Sequence, residues 1–281
     1  MQRKTSLYVL AADTSDAAVT AAAEAAQAQD AYLACLLLEN LPARPYFVYS
    51  ATGFGAAAMP ADWVDHLRDA RQAAETRAGE VNDLLTRNGC SGDVQYAVCA
   101  GADIRLLCAQ RAKSCDIAQF ADGLRDHEDV FREALHGLLF QSPVPVIVNG
   151  APFASYSRIF LAWDSSLAAS RAAHAALPYL RHAQEVVIGC FESSASDQRD
   201  GEDPGTDVAA WLSHHGCTVT VSQFPGGGQD VGHGIQQRAR EAGAGLVVMG
   251  AYGHSRLREA VFGGTTRTMI EQTELPVLFA H

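Results

Sequence analysis

The sequence predicts an α/β protein made of two tandem copies of one parallel-sheet unit, and three observations carry that prediction. First, residues 6–39 (SLYVLAADTSDAAVTAAAEAAQAQDAYLACLLLE) repeat the order of features in residues 157–192 (SRIFLAWDSSLAASRAAHAALPYLRHAQEVVIGCFE). Each runs from an apolar strand through an aspartate and small polar residues into an Ala-rich helix and a second apolar strand. Second, the ends of the halves match: residues 133–148 (EALHGLLFQSPVPVIV) align with 264–279 (GTTRTMIEQTELPVLF), pairing Pro145 with Pro276. Third, within each half the apolar period alternates between strand-like runs and helical spacing, the pattern of β and α elements wound around a parallel sheet.

The elements follow in order. In the second half, strands are expected over 158–162, 185–191, 218–222, 246–249 and 276–280, because these are apolar runs bounded by turn residues. Helices fill the intervals at 166–180, 206–214, 230–242 and 265–273. Ser165 and Ser166 supply hydroxyls suited to capping the free N–H groups of the first helix, and the alanines after them have the highest helix propensity. The first half repeats the plan with one enlargement. Residues 40–60, rich in Gly, Pro, Ala and aromatics, read as a loop before a long amphipathic helix at 61–87. Residues 149–156 are the linker, so the halves are taken as 1–150 and 151–281. Residues 193–205 (SSASDQRDGEDPG) read as a solvated loop.

Composition narrows the function classes. A chain of 281 residues with 48% hydrophobic and 19% charged residues can fill a core and is neither disordered nor low in complexity. With 21 Lys and Arg against 32 Asp and Glu, the net charge of −11 disfavours nonspecific binding to nucleic acid or anionic membranes, so an anionic ligand needs a local site. The uncharged stretch 134–157 is broken by Pro143, Pro145 and Pro152 and cannot be a spanning helix. Asp13 ends the first apolar run before a secretory leader is complete. Seven cysteines without a C-x-x-C pair suggest reduced thiols, and a cytoplasmic location is expected.

In an open parallel sheet, ligands bind beyond the carboxyl ends of the strands where strand order reverses. Asp164 ends the first strand of the second half. Met249-Gly250-Ala251-Tyr252-Gly253 follows the fourth, and nine residues later Gly263-Gly264-Thr265-Thr266 opens the last helix. This G-x2-G-x9-G spacing reads as an anion cradle: glycines let backbone N–H groups approach a phosphate, and the helix amino end adds about half a positive charge. His254, Arg256 and Arg258 add charge within the segment. The first half keeps Asp13 but has Ala121-Asp122-Gly123-Leu124 after its fourth strand. Ahead of its last helix it has Phe131-Arg132-Glu133-Ala134, where Asp122 and Glu133 are expected to repel phosphate.

Other motifs are missing. The only lysines, Lys4 and Lys113, do not complete a P-loop, and no G-x-S-x-G elbow or other catalytic triad signature occurs, so no catalytic residue is assigned. His214, His215 and Cys217 lack the spacing of a metal site, and no metal is expected. Gly226-Gly227-Gly228 reads as a flexible turn before the Asp230 helix, with a ligand loop as the alternative.

The segment MGAYGHSRLREAVFGGTTRTMI, with the strand-ending aspartate before it and LPVLFAH after it, resembles the universal stress protein family, in two tandem copies covering the chain. The resemblance implies Rossmann-like units of the adenine nucleotide alpha hydrolase type, each with five parallel strands. They would pack as an internal pseudo-dimer with 145–148 beside 276–279. It implies an adenine nucleotide, ATP or another, free or with Mg, bound in the second half only. Asp164 would accept a hydrogen bond from the adenine amino group and the backbone of Phe191 would border the base. Gly250 and Gly253 would border ribose and α-phosphate, while Gly263, Gly264 and Thr265 would donate to the β- and γ-phosphates. Gly264 departs from the pattern, standing where the ATP-binding branch has Ser or Thr. The role implied is a stress-response sensor or binding module with at most weak ATP hydrolysis. The alternative is a scaffold that binds no nucleotide and works through protein contacts, using Tyr46, Phe47, Tyr49 and Phe54 of loop 45–54. Pairing of whole chains into a homodimer fits either role.

Overall fold

The structure, a computed structural model, describes residues 4–42, 61–191, 203–224, 230–251 and 264–281. The first half runs β1 (Thr5–Ala11), α1 (Asp16–Ala28), β2 (Tyr32–Asn40), α2 (Ala61–Arg87), β3 (Ser91–Cys99), α3 (Ala102–Ala112), β4 (Ile117–Phe120), a 3-10 turn (Leu124–Asp126), α4 (Glu128–Gln141) and β5 (Val146–Val148). The second runs β6 (Arg158–Trp163), α5 (Leu167–Leu180), β7 (Glu185–Phe191), α6 (Thr206–His214), β8 (Val219–Phe224), α7 (Val231–Glu241), β9 (Leu246–Gly250), α8 (Gly264–Glu271) and β10 (Val277–Ala280).

The strands form one ten-stranded sheet in the order β3-β2-β1-β4-β5-β10-β9-β6-β7-β8. Pairing is parallel within each half, and the order reverses between β1 and β4 and between β6 and β9. The halves join by one antiparallel pairing, Val148 with Val277, Ile147 with Leu278 and Val146 with Phe279, the contact expected for an internal pseudo-dimer. Joining β5 to β10 removes one open edge from each unit, and these short strands of Val, Ile, Leu, Phe and Ala are buried.

Both faces of the sheet are covered, as the nearly unbroken apolar runs of its inner strands require. On one face, α3, α4, α7 and α8 pack over strands of both halves into a single core that crosses the seam, including Leu135, Leu138, Val146, Phe160, Met269 and Phe279. On the other face one core lies under α1 and α2, and a second lies under α5 and α6 and takes in Ile117 of β4 and Ile147 of β5 across the seam. Alanines make this packing close: Ala22, Ala23 and Ala26 of α1 and Ala172, Ala173 and Ala176 of α5 are fully buried or nearly so. The first helix of each half is capped alike. Ser15 Oγ accepts from the Ala18 N–H at 3.2 Å and Ser166 Oγ from the Ala169 N–H at 3.1 Å.

Several boundaries shift by a residue or two, β8 running 219–224 rather than 218–222 and α7 231–241 rather than 230–242, and three further differences matter more. Asn40, assigned to a loop, completes β2 in register with Cys99. Helix α8 begins at Gly264 and stops at Glu271, short of Thr273. Residues 131–134 do not precede the last helix of the first half but lie inside α4. The loop carrying Tyr46, Phe47, Tyr49 and Phe54, most of 193–205, Gly226 to Gly228, and Tyr252 to Gly263 lie outside the described residues. Among the described residues no helix is long and apolar enough to cross a membrane.

Candidate nucleotide site

The reversal point of the second half lies between β6 and β9. Ala162 pairs with Met249, so Asp164 and Gly250 occupy neighbouring strand ends. Asp164 Oδ1 accepts from the Ser166 N–H at 3.1 Å, and Ser165 between them adopts a left-handed φ of 52°. This side-chain turn places the carboxylate at the mouth of the strand end, immediately before Ser166 caps α5. Gly250 has a packing reason for lacking a side chain: a Cβ there would come within 2.5 Å of the Ala168 carbonyl carbon and the Ala169 nitrogen of α5. The sequence pattern assigned this glycine to a ligand-facing backbone, and the structure adds a second reason for it, the close approach of β9 to α5.

Phe191 ends β7 with its ring turned under α7. It lies 5.1 Å from the Phe224 ring and beside Gly234, with Arg238 stacked 4.9 Å over Phe224. The side chain is occupied in packing, and the backbone pairs with Phe224 of β8. At the amino end of α8, Gly264 is exposed and a Cβ there would have no atom within 4 Å; Thr265 is half-buried and Thr266 buried. Helix α8 is held against α7 through Asp230, whose Oδ2 accepts from Thr268 Oγ1 at 2.6 Å and whose Oδ1 accepts from the Gly232 N–H at 2.8 Å. The Thr268 hydroxyl and then the Gly232 N–H hold the Asp230 carboxyl below its ordinary range. Gly253 and Gly263, with His254, Arg256 and Arg258, fall in the segment outside the described residues.

The first half differs at the equivalent place. Seven residues, 121–127, separate β4 from α4, where thirteen, 251–263, separate β9 from α8. The shorter segment folds as a 3-10 turn that buries Leu124 completely. His127, directly after that turn, puts Nε2 2.8 Å from Asp13 Oδ1 and so engages the aspartate that matches Asp164. Glu133 lies inside α4 with its carboxylate paired. Its side chain is 8% exposed, pairs with Arg105 and lies 3.5 Å from Arg132 Nε, and the Arg105 hydrogen bond holds the carboxyl below its ordinary range. Asp122 is exposed and lines a cleft of about 440 Å³ at the ends of β1 and β4, together with Tyr8, Arg125, Asp126, Asn149 and Thr273. Burial first, and then the Asp122 charge, pushes the Tyr8 phenol well above its usual range. The His127 contact was missed in the sequence, and so was the shortness of 121–127, because α4 was expected to begin after residue 134. Among the described residues, no three His, Cys, Asp or Glu side chains gather where they could hold a metal ion.

The fold and the strand-end site define a class: doubly wound α/β units in tandem, each with its crevice at the reversal of strand order. Residues 155–281 match the model of the universal stress protein family. A universal stress protein from Archaeoglobus fulgidus DSM 4304 is similar over 98% of this chain and 95% of its own, at 18% identity and a TM-score of 0.66. A putative universal stress protein from Pseudomonas aeruginosa UCBPP-PA14 is similar over 99% and 93%, at 14% identity and a TM-score of 0.60. These likenesses extend the tandem fold across the first half. No curated protein matches the sequence.

Proposed function

We propose that this tandem stress protein binds ATP or another adenine nucleotide in its second half and acts as a sensor or binding module rather than as a catalyst. The observation that carries the reading is the difference between the two reversal points. In the second, Asp164 stands at the strand end, held by the Ser166 N–H, beside a thirteen-residue segment that carries Gly253 and Gly263 and leads to the exposed amino end of α8. In the first, the matching segment is a closed turn and the matching aspartate is met by His127. Three groups then serve the ligand: the Asp164 carboxylate for the base, the glycine backbone for the phosphates, and the α8 amino end for their charge. Magnesium, where present, would be carried by the phosphates.

Absence of a hydroxyl at Gly264 favours the second reading, a scaffold without nucleotide that works through protein contacts. Thermal unfolding with ATP, ADP and AMP separates the two. A ligand present at 100 times its dissociation constant adds about 2.7 kcal/mol and shifts the midpoint by several degrees. No shift with any of the three at millimolar concentration eliminates the nucleotide reading. Denaturing the protein purified from its cell and identifying the released nucleotide by mass spectrometry then names the physiological ligand.

A further inference from the structure

The carboxyl end of α8 is held by the first half of the chain. Arg125, in the 3-10 turn, donates from Nη1 to the Ile270 carbonyl at 2.8 Å. Asn149, directly after β5, donates from Nδ2 to the carbonyls of Gln272 at 2.9 Å and Leu275 at 3.2 Å. Arg125 Nε donates to Asn149 Oδ1 at 3.0 Å, which aligns the two side chains as one unit. The guanidinium lies 4.6 Å over the Phe131 ring and is half-buried, and Asn149 is held at a left-handed φ of 57°.

The last carbonyls of a helix need outside donors, and a cation at that end complements the helix dipole. In the first half α4 meets this need from its own end, with Ser142 Oγ donating to the Leu138 carbonyl at 2.6 Å. In the second half, Gln272 donates to Met269 and Leu275, but Ile270 receives its side-chain donor from across the seam. Helix α8 has eight residues, well below the length at which an isolated helix is stable, so its position depends on such contacts. One short turn therefore does two things: His127 meets Asp13 in its own half and Arg125 caps α8 in the other.

We infer that Arg125 and Asn149 are positioning residues for the phosphate end of the second-half site, holding α8 so that its amino end stays aimed at the ligand. This rests on the nucleotide reading given above. Because adenine is met at Asp164 and the phosphates at α8, loosening the clasp weakens binding of phosphate-bearing ligands and spares adenosine.

The test uses the full chain with Arg125→Lys, which keeps the charge but loses the fork, and Asn149→Gly, which removes the side chain and accepts the positive φ. Calorimetric titrations with ATP and with adenosine are compared, and the amide signals of Thr265 and Thr266 are recorded by NMR without ligand. The expected result is an ATP affinity about tenfold weaker in Asn149→Gly and less affected in Arg125→Lys. Adenosine affinity is unchanged, and the two amide signals shift in both variants. Unchanged ATP affinity, or equal losses for ATP and adenosine, overturns the inference. If the unaltered chain binds no ATP, the nucleotide reading fails instead; the amide signals then still decide whether the clasp sets α8, and unmoved signals overturn it independently.

Discussion

Replacing Gly264 by serine tests the phosphate end of the proposed site most sharply. Position 264 is the first residue of α8, it is exposed, and a Cβ built on it meets nothing within 4 Å, so the substitution brings no steric cost. Its backbone is outside the left-handed region that would demand glycine. The added hydroxyl sits at the helix amino end, where a hydrogen bond to a charged phosphate contributes about 1.5–3 kcal/mol. At 25 °C that is roughly a 10- to 150-fold gain in affinity. Titration calorimetry with ATP on the unaltered chain, Gly264→Ser and Gly264→Ala reads the effect. The serine variant is expected to bind ATP more tightly by that factor and adenosine no more tightly, while the alanine variant matches the unaltered chain. A serine variant with unchanged ATP affinity and an intact melting curve refutes the reasoning. So does an alanine variant that gains as much, because the Cβ rather than the hydroxyl would then be responsible.

Other perturbations follow from packing and charge. Gly250→Ala forces a methyl to within 2.5 Å of the α5 backbone, which cannot yield like a side chain, and is expected to cost about 1–3 kcal/mol and several degrees in the melting midpoint; unchanged stability would contradict the close packing. Glu133→Gln removes the charge that pairs with Arg105 and is expected to cost about 1–3 kcal/mol at pH 7 in chemical denaturation, without altering ATP affinity. The Glu133 carboxyl is held below its ordinary 4.5, so its contribution is present above that value and lost as pH falls below it, and the two chains converge in acid. His136 is held below its ordinary 6.5, chiefly by burial and then by the Arg105 charge. As pH falls through 6.5 the unfolded chain binds the proton first, so this residue removes stability by at most about 1.4 kcal/mol per pH unit. Stability curves of the unaltered chain and His136→Gln between pH 7 and 5 should diverge with that sign, and parallel curves would contradict it.

Much of the fold is legible in the sequence because strand and helix signals are local. The alternation of period located β7 and α6 to the residue, and the serine cap marked where α5 begins. The pairing of β5 with β10 follows from the repeat and the family resemblance rather than from any local signal. The misplacement of 131–134 has a definite origin. Aligning the halves sets Glu133 opposite Gly264, but α4 starts five residues earlier, at Glu128, so residues that match part of the second half's cradle are helix in the first. The contacts that close the first half and bind the halves together were invisible for another reason. His127 meets Asp13 across 114 residues and Arg125 meets Ile270 across 145, and no spacing rule reports on pairs that only the finished sheet brings together. Gly250 was picked out by its motif, yet only the structure shows that α5 also leaves no room for a side chain there.

The proposed function comes down to one nucleotide site per chain, in the second half. Its most direct test is the stoichiometry of ATP binding by titration calorimetry on the full chain, with Asp13→Ala and Gly253→Asp as companions. One ATP per chain, retained in Asp13→Ala and abolished in Gly253→Asp, is the expected result. No binding at millimolar ATP, two ATP per chain, or loss of binding in Asp13→Ala would contradict it.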